Sequence, residues 1–156
     1  MGYGPINPTK SDKGGGSSAG EVRRVTDMGD GCAEWVFPAA PDAVRTARAF
    51  VRRQLRDWGL APVGDLTVLL VSELVTNSLR HATGPIGVRL VRPSGPAGVL
   101  LVEVSDPLPE LPRERVARPE DEGGRGLFLV ATASRRWGAT PGDAGKTVWF
   151  EVAAPR

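Results

Sequence analysis

Hydrophobic positions along the chain change their period several times, and those changes divide it into elements. Val44, Ala47, Val51, Leu55 and Trp58 recur at three- and four-residue spacing, the mark of a helix with one apolar stripe. Pro41 or Asp42 opens that helix and Gly59 ends it. A second, more apolar helix is predicted from about 62 to 82, stopped by Thr83-Gly84-Pro85. Trp35-Val36-Phe37 reads as a short strand before the first helix. After the second helix, residues 86–91 and 99–104 alternate as strands, joined by a turn-rich connector suited to a hairpin. The pattern dissolves over 107–122, where four prolines and many charges predict a loop. A third helix is predicted from 127 to about 136, and 137–140 with 147–152 form a last hairpin. The order strand, helix, helix, hairpin, loop, helix, hairpin predicts an α+β fold. This is a two-layer α/β sandwich, its sheet mixed but mostly antiparallel, with helices on one face.

Composition narrows the setting. The chain has 156 residues, 40% of them hydrophobic and 24% charged, which suits one domain with a sizeable core. Its 20 basic residues face 18 acidic ones, so a net charge of +2 does not signal a nucleic-acid-binding surface. Cys32 is the single cysteine, which excludes an intramolecular disulfide and a cysteine-based metal cluster. No apolar run approaches the roughly 20 residues that span a bilayer. The first residues lack the basic-then-apolar order of a signal peptide. Met1-Gly2 does not read as a myristoylation signal, because Ile6 stands where Ser or Thr is required. The expectation is a cytoplasmic protein that contacts neither membrane nor nucleic acid directly. Residues 1–31 are rich in Gly, Ser and Pro and read as a disordered tail, leaving 32–156 as the folded domain.

Candidate chemistry concentrates in the second helix. Glu73, Asn77 and His81 recur every four residues, about 40° apart around the helix, on the edge of the apolar arc beside Leu70 and Leu74. Periodicity alone favours a solvated helix face. Asn within an apolar helix is mildly unfavourable, however, because its amide competes for backbone hydrogen bonds. A carboxylate one turn from an amide can hold a water or hydroxyl beside a hydrated Mg2+. His81 alone reads as a polar residue near a helix end. Gly124-Arg125-Gly126 precedes the third helix, where glycines and a helix amino terminus suit a phosphate, and a flexible entry loop accounts for them equally. Gly145-Lys146-Thr147 is not a P-loop, because the glycine spacing fails and a strand follows instead of a helix. Thr147 can still face a ligand from the start of that strand. Asp106 ends an apolar strand, either as a turn residue before Pro107 or as a buried carboxylate accepting an exocyclic amine and so selecting adenine.

Taken in order, these segments resemble the GHKL, or histidine-kinase-type, ATPase superfamily over residues 33 to 153. Glu73-Leu74-Val75-Thr76-Asn77 with Arg80-His81-Ala82 resembles its N box, and Val102-Glu103-Val104-Ser105-Asp106 its first glycine box. Gly123-Gly124-Arg125-Gly126-Leu127 resembles its second glycine box, and Gly145 to Phe150 its closing threonine strand. The pattern from Ser72 to Asn77 with His81 is similar to the bacterial anti-sigma-factor serine kinases and their actinobacterial relatives. The resemblance implies ATP and Mg2+ as cofactors, with Asn77 as the metal ligand and Glu73 as the general base toward a serine hydroxyl. Asp106 would take the adenine amine, with His81, Gly124, Arg125, Gly126, Leu127 and Thr147 completing the nucleotide site. Residues 107–122 would form a lid.

The implied function is that of an ATP-binding anti-sigma regulatory factor, a serine kinase acting on a STAS-type anti-anti-sigma partner. A sigma factor is the further partner, and dimer formation rests on the resemblance alone. No histidine-bearing dimerisation helix pair precedes the domain, which argues against a complete sensor kinase. The alternative is a non-catalytic module that binds its partner with nucleotide as a structural ligand or with none. Leu108 favours that alternative, because the family has a glycine two residues after the aspartate and a leucine there would crowd the base.

Overall fold

The computed structural model describes residues 22–27, 31–81, 84–95, 98–108, 125–142 and 145–155. Among them the chain runs through β1 (Arg23–Asp27), β2 (Cys32–Phe37), α1 (Ala43–Asp57), a 3-10 turn (Ala61–Val63), α2 (Gly64–His81), β3 (Ile86–Val91), β4 (Val99–Asp106), α3 (Arg125–Ala133), β5 (Arg136–Gly142) and β6 (Gly145–Ala153). The predicted lid lies outside the described residues except for Pro107 and Leu108.

α1 forms where the periodic stripe predicts it, burying Ala43, Ala47, Val51 and Leu55. Its end is set by Gly59, whose φ of 73° lets the chain turn left-handed. There the Leu60 N–H reaches back to the Leu55 carbonyl at 2.7 Å, a Schellman-type stop that also packs the apolar Leu60 under the last turn. α2 follows after the 3-10 turn and packs along α1. Phe50 of α1 lies 5.9 Å from the Trp35 ring and 6.1 Å from the Phe37 ring, fastening the helix layer to β2.

The sheet has strand order β1-β2-β3-β4-β6-β5. Every neighbouring pair is antiparallel, in line with the mostly antiparallel sheet that the sequence predicts. The connectivity explains why no pair is parallel. β4, α3 and β5 form a crossover whose two strands run the same way, but β6 folds back from β5 and inserts between them. Two helices in series bring β3 back antiparallel to β2. Strand alternation then sorts the side chains by face. Ile86, Val88 and Leu90, Leu100, Val102 and Val104, and Val148, Phe150 and Val152 are buried. They meet Val68, Val71, Leu74 and Val75 of α2 and Leu127 and Val130 of α3 in one core. Each fully buried side chain of this size contributes roughly 1.5–3 kcal/mol.

The opposite face carries the polar strand positions. Glu34, Arg89, Glu103 and Trp149 stand in register across β2, β3, β4 and β6. Arg89 donates to the Cys32 sulfur at 3.3 Å and to Glu103 at 3.0 Å. These two contacts, Cys32 first, hold its guanidinium pKa above the ordinary value.

One sequence expectation is corrected. The stretch 1–31 reads as tail, yet residues 23–27 form β1 on the sheet edge, with a register shift between Arg24 and Thr26. An edge strand is held by backbone hydrogen bonds and needs no apolar alternation, so hydropathy does not reveal it. Residues 1–21 and 28–30 lie outside the described residues.

Candidate functional site

The polar side chains of α2 divide sharply by what they bond. The hydroxyls of Thr67, Ser72 and Thr76 each donate to the carbonyl four residues back, at 2.7, 2.6 and 2.7 Å. Asp65 pairs with Arg52 of α1 on the surface. Ser78, buried on the sheet side, donates to Asp106 Oδ2 at 2.7 Å. Glu73 and Asn77 remain. Both are half-buried, and neither makes a side-chain hydrogen bond or ion pair among the described residues. They are a half-buried amide and carboxylate one helical turn apart, uncommitted among the described residues. His81 continues the stripe but is exposed at the helix end.

Asp106 closes β4 with its side chain toward the helices, continuing the buried series Leu100, Val102, Val104. It is buried, as one of the two sequence readings has it, and it also makes the turn before Pro107 that the other has, through the N–H two residues on. Its partners come from its own chain. The Leu108 N–H donates to Oδ1 at 2.9 Å, and the Lys146 ammonium reaches the same oxygen at 3.0 Å. Lys146 also approaches the Leu108 carbonyl at 3.4 Å. Leu108 thus closes on the carboxylate through its backbone.

The register of β4 on β6 decides which residues can share this position. Asp106 stands opposite Lys146, and Ser105 opposite Thr147. Successive strand residues face opposite sides. Thr147, expected beside the nucleotide, lies instead on the outer face, where its hydroxyl meets that of Ser105 at 2.8 Å. The structure does not bring Thr147 and Asp106 together; Lys146 takes that place. Gly145, the residue before it, has φ of 148°, and a Cβ there would fall 1.9 Å from the Asp106 carbonyl oxygen. Only glycine lets β6 start this close to the end of β4. Gly145-Lys146-Thr147 runs directly into β6, where a P-loop would require a helix.

Of the second glycine segment, Gly124 lies outside the described residues. Arg125 and Gly126 open α3, which packs against α2. Leu127 is a core residue with 2% of its surface exposed, so its side chain is not available to a ligand.

Sequence reasoning missed Ser78 and Lys146. Ser78 left a signal, a small polar residue on the apolar arc of α2. Lys146 left none, because its meeting with Asp106 depends on strand register.

The donor set can be tested against Mg-ATP. Asn77 offers an uncommitted amide oxygen and Glu73 an uncommitted carboxylate. Among the described residues no three His, Cys, Asp or Glu side chains converge as a metal cage. Mg2+ held by one side chain, waters and phosphate oxygens requires no such cage. The residues therefore fit the metal-phosphate end of such a ligand, while the Asp106 carboxylate is already bonded by Lys146.

Among curated proteins none matches the chain. A similar solved structure is the histidine kinase domain of the blue-light activated histidine kinase from Erythrobacter litoralis EL346. It is 25% identical, with a TM-score of 0.42, over 60% of this chain and 46% of that one. The chain thus spans less than half the length of that structure. No helix among the described residues is long and apolar enough to cross a membrane. The family described as the histidine kinase-like ATPase domain matches residues 37–152, nearly the whole span from β2 to β6. With the helix carrying Glu73 and Asn77 joined through Ser78 to the buried Asp106, that match places the chain in this family: it belongs to the histidine kinase-like ATPase domains.

Proposed function

We propose that the domain binds Mg-ATP and acts as an anti-sigma regulatory factor that phosphorylates a serine on a STAS-type anti-anti-sigma partner. The family supports the nucleotide, and the uncommitted Glu73–Asn77 pair is the observation that carries the site. Asn77 would ligate Mg2+, which would supply charge neutralisation at the phosphates. Glu73 would accept the proton of the incoming serine hydroxyl. The amino terminus of α3 would face phosphate oxygens. Phosphoryl transfer asks the protein mainly for positioning and charge neutralisation; Glu73 and Asn77 would position, and Arg125 with the bound Mg2+ would neutralise charge. The pattern from Ser72 to Asn77 with His81 supports the anti-sigma branch.

Two measurements test the reading. Mg-ATP must raise the melting temperature, because a ligand bound only by the folded state stabilises it. Incubation with labelled ATP and candidate STAS partners must yield phosphoserine. Mg-ATP stabilisation without transfer to any partner would favour the second reading, a non-catalytic partner-binding module. The Lys146 contact on Asp106 favours that second reading, since it occupies the carboxylate that would recognise the base.

A further inference from the structure

A carboxylate has about four lone-pair directions, two per oxygen. On Asp106, Oδ1 receives both the Leu108 N–H and the Lys146 ammonium, and Oδ2 receives the Ser78 hydroxyl. One direction remains, on Oδ2. The side chains of Asp106 and Lys146 are 4% and 10% exposed, so the pair is nearly sealed. Lys146 is further fixed by the Leu108 carbonyl and by the start of β6, which Gly145 brings against the Asp106 backbone.

Such a pair is a weak stabiliser. Desolvating both charges offsets most of their attraction, and well-packed apolar residues of similar volume often serve a fold as well or better. The pair does have one definite consequence. It neutralises the one buried carboxylate in the described structure at the position where an exocyclic base amine would be read.

We propose that Lys146 is an internal occupant of the base-recognition position, competing with the nucleobase for Asp106. This inference rests on the Mg-ATP reading above. The triphosphate end, built on Glu73, Asn77 and the start of α3, is unaffected by the lysine. With the ammonium on Oδ1, only the remaining direction on Oδ2 is open to a base amine, and the carboxylate's charge is already met. A base amine that displaces it regains about what the ammonium gives up, so the base adds little to affinity. The resting protein then holds its nucleotide chiefly by phosphate and metal. An event that draws Lys146 away, such as an acidic partner group offering a second carboxylate, would tighten ATP binding.

The test compares Mg-ATP with Mg-tripolyphosphate, which has the phosphates and no base, by calorimetric titration. Wild type is expected to bind the two with affinities within a few-fold of each other. Lys146→Thr keeps a strand-favouring residue and a hydroxyl that can still bond Asp106. It is expected to bind Mg-ATP about tenfold more tightly, the scale of one hydrogen bond to a charged group, with Mg-tripolyphosphate unchanged. Lys146→Arg preserves the charge and should leave both affinities as in wild type. Lys146→Met removes the ammonium and serves if Lys146→Thr does not fold; it is likewise expected to bind Mg-ATP more tightly, with Mg-tripolyphosphate unchanged. A gain for both ligands, or an unchanged or lower Mg-ATP affinity in Lys146→Thr or Lys146→Met, would overturn the proposal while sparing the nucleotide reading. If wild type and Lys146→Thr bind neither ligand, the nucleotide reading itself falls and takes the inference with it. A purely structural role for the pair predicts lower melting temperatures and an unchanged ratio of the two affinities.

Discussion

Ser78 of α2 donates its hydroxyl to Oδ2 of Asp106 at the end of β4, a buried 2.7 Å contact between groups 28 residues apart. Asn77 precedes Ser78, so the metal-ligand candidate is the chain neighbour of the residue that carries this bond. The helix layer and the sheet meet at this point through a polar contact, beside the apolar packing of Val71, Leu74 and Val75.

Ser78→Ala removes that donor and leaves Oδ2 without its partner. A buried acceptor left unmade costs about 1–3 kcal/mol. For a domain of this size that corresponds to a melting temperature lower by about 2–4 °C per kcal/mol. Thermal unfolding followed by circular dichroism checks it, and an unchanged midpoint would show that the bond does not hold the two layers together.

Two glycines separate backbone strain from collision. At Gly145 an alanine would need φ of 148° and would place its Cβ 1.9 Å from a backbone oxygen that cannot move without dragging β4. Gly145→Ala is expected to cost at least about 3 kcal/mol or to prevent soluble folding. Gly59 also has positive φ, 73°, but nothing lies within 4 Å of an added Cβ. Gly59→Ala should cost about 1 kcal/mol. Chemical denaturation of the two variants ranks them, and equal losses would mean that the close approach of β6 to β4 carries no weight.

Asn77→Ala deletes a side chain with no bonding partner among the described residues. Stability should change by less than about 0.5 kcal/mol, while the Mg-dependent rise in melting temperature with ATP disappears. A variant that keeps that rise removes Asn77 from the metal site.

Glu73→Ala should keep the Mg-ATP shift and lose phosphoryl transfer to the STAS partner by a factor of about 100 or more, the usual contribution of a positioned general base. Transfer at the wild-type rate would assign the proton to another acceptor.

Hydropathy and helical period were enough to place both long helices and both hairpins, and the Glu73–Asn77–His81 stripe on α2. These features depend on neighbours a few residues away, where spacing maps directly to a face. The glycine at 59 likewise announced the end of α1, because a positive φ is a local demand. β1 escaped detection because edge pairing is a backbone property.

Tertiary structure alone decided what Asp106 touches. The sequence determined that a carboxylate would end an apolar strand and that Gly145, Lys146 and Thr147 would open another. It did not determine whether the lysine or the threonine would share the carboxylate's face. Strand side chains alternate with a period of two, so a one-residue change of register exchanges the two faces. That register is set by pairing between β4 and β6 across 40 residues, including a segment without periodic pattern. The pairing put Lys146 on Asp106 and Thr147 on the opposite face.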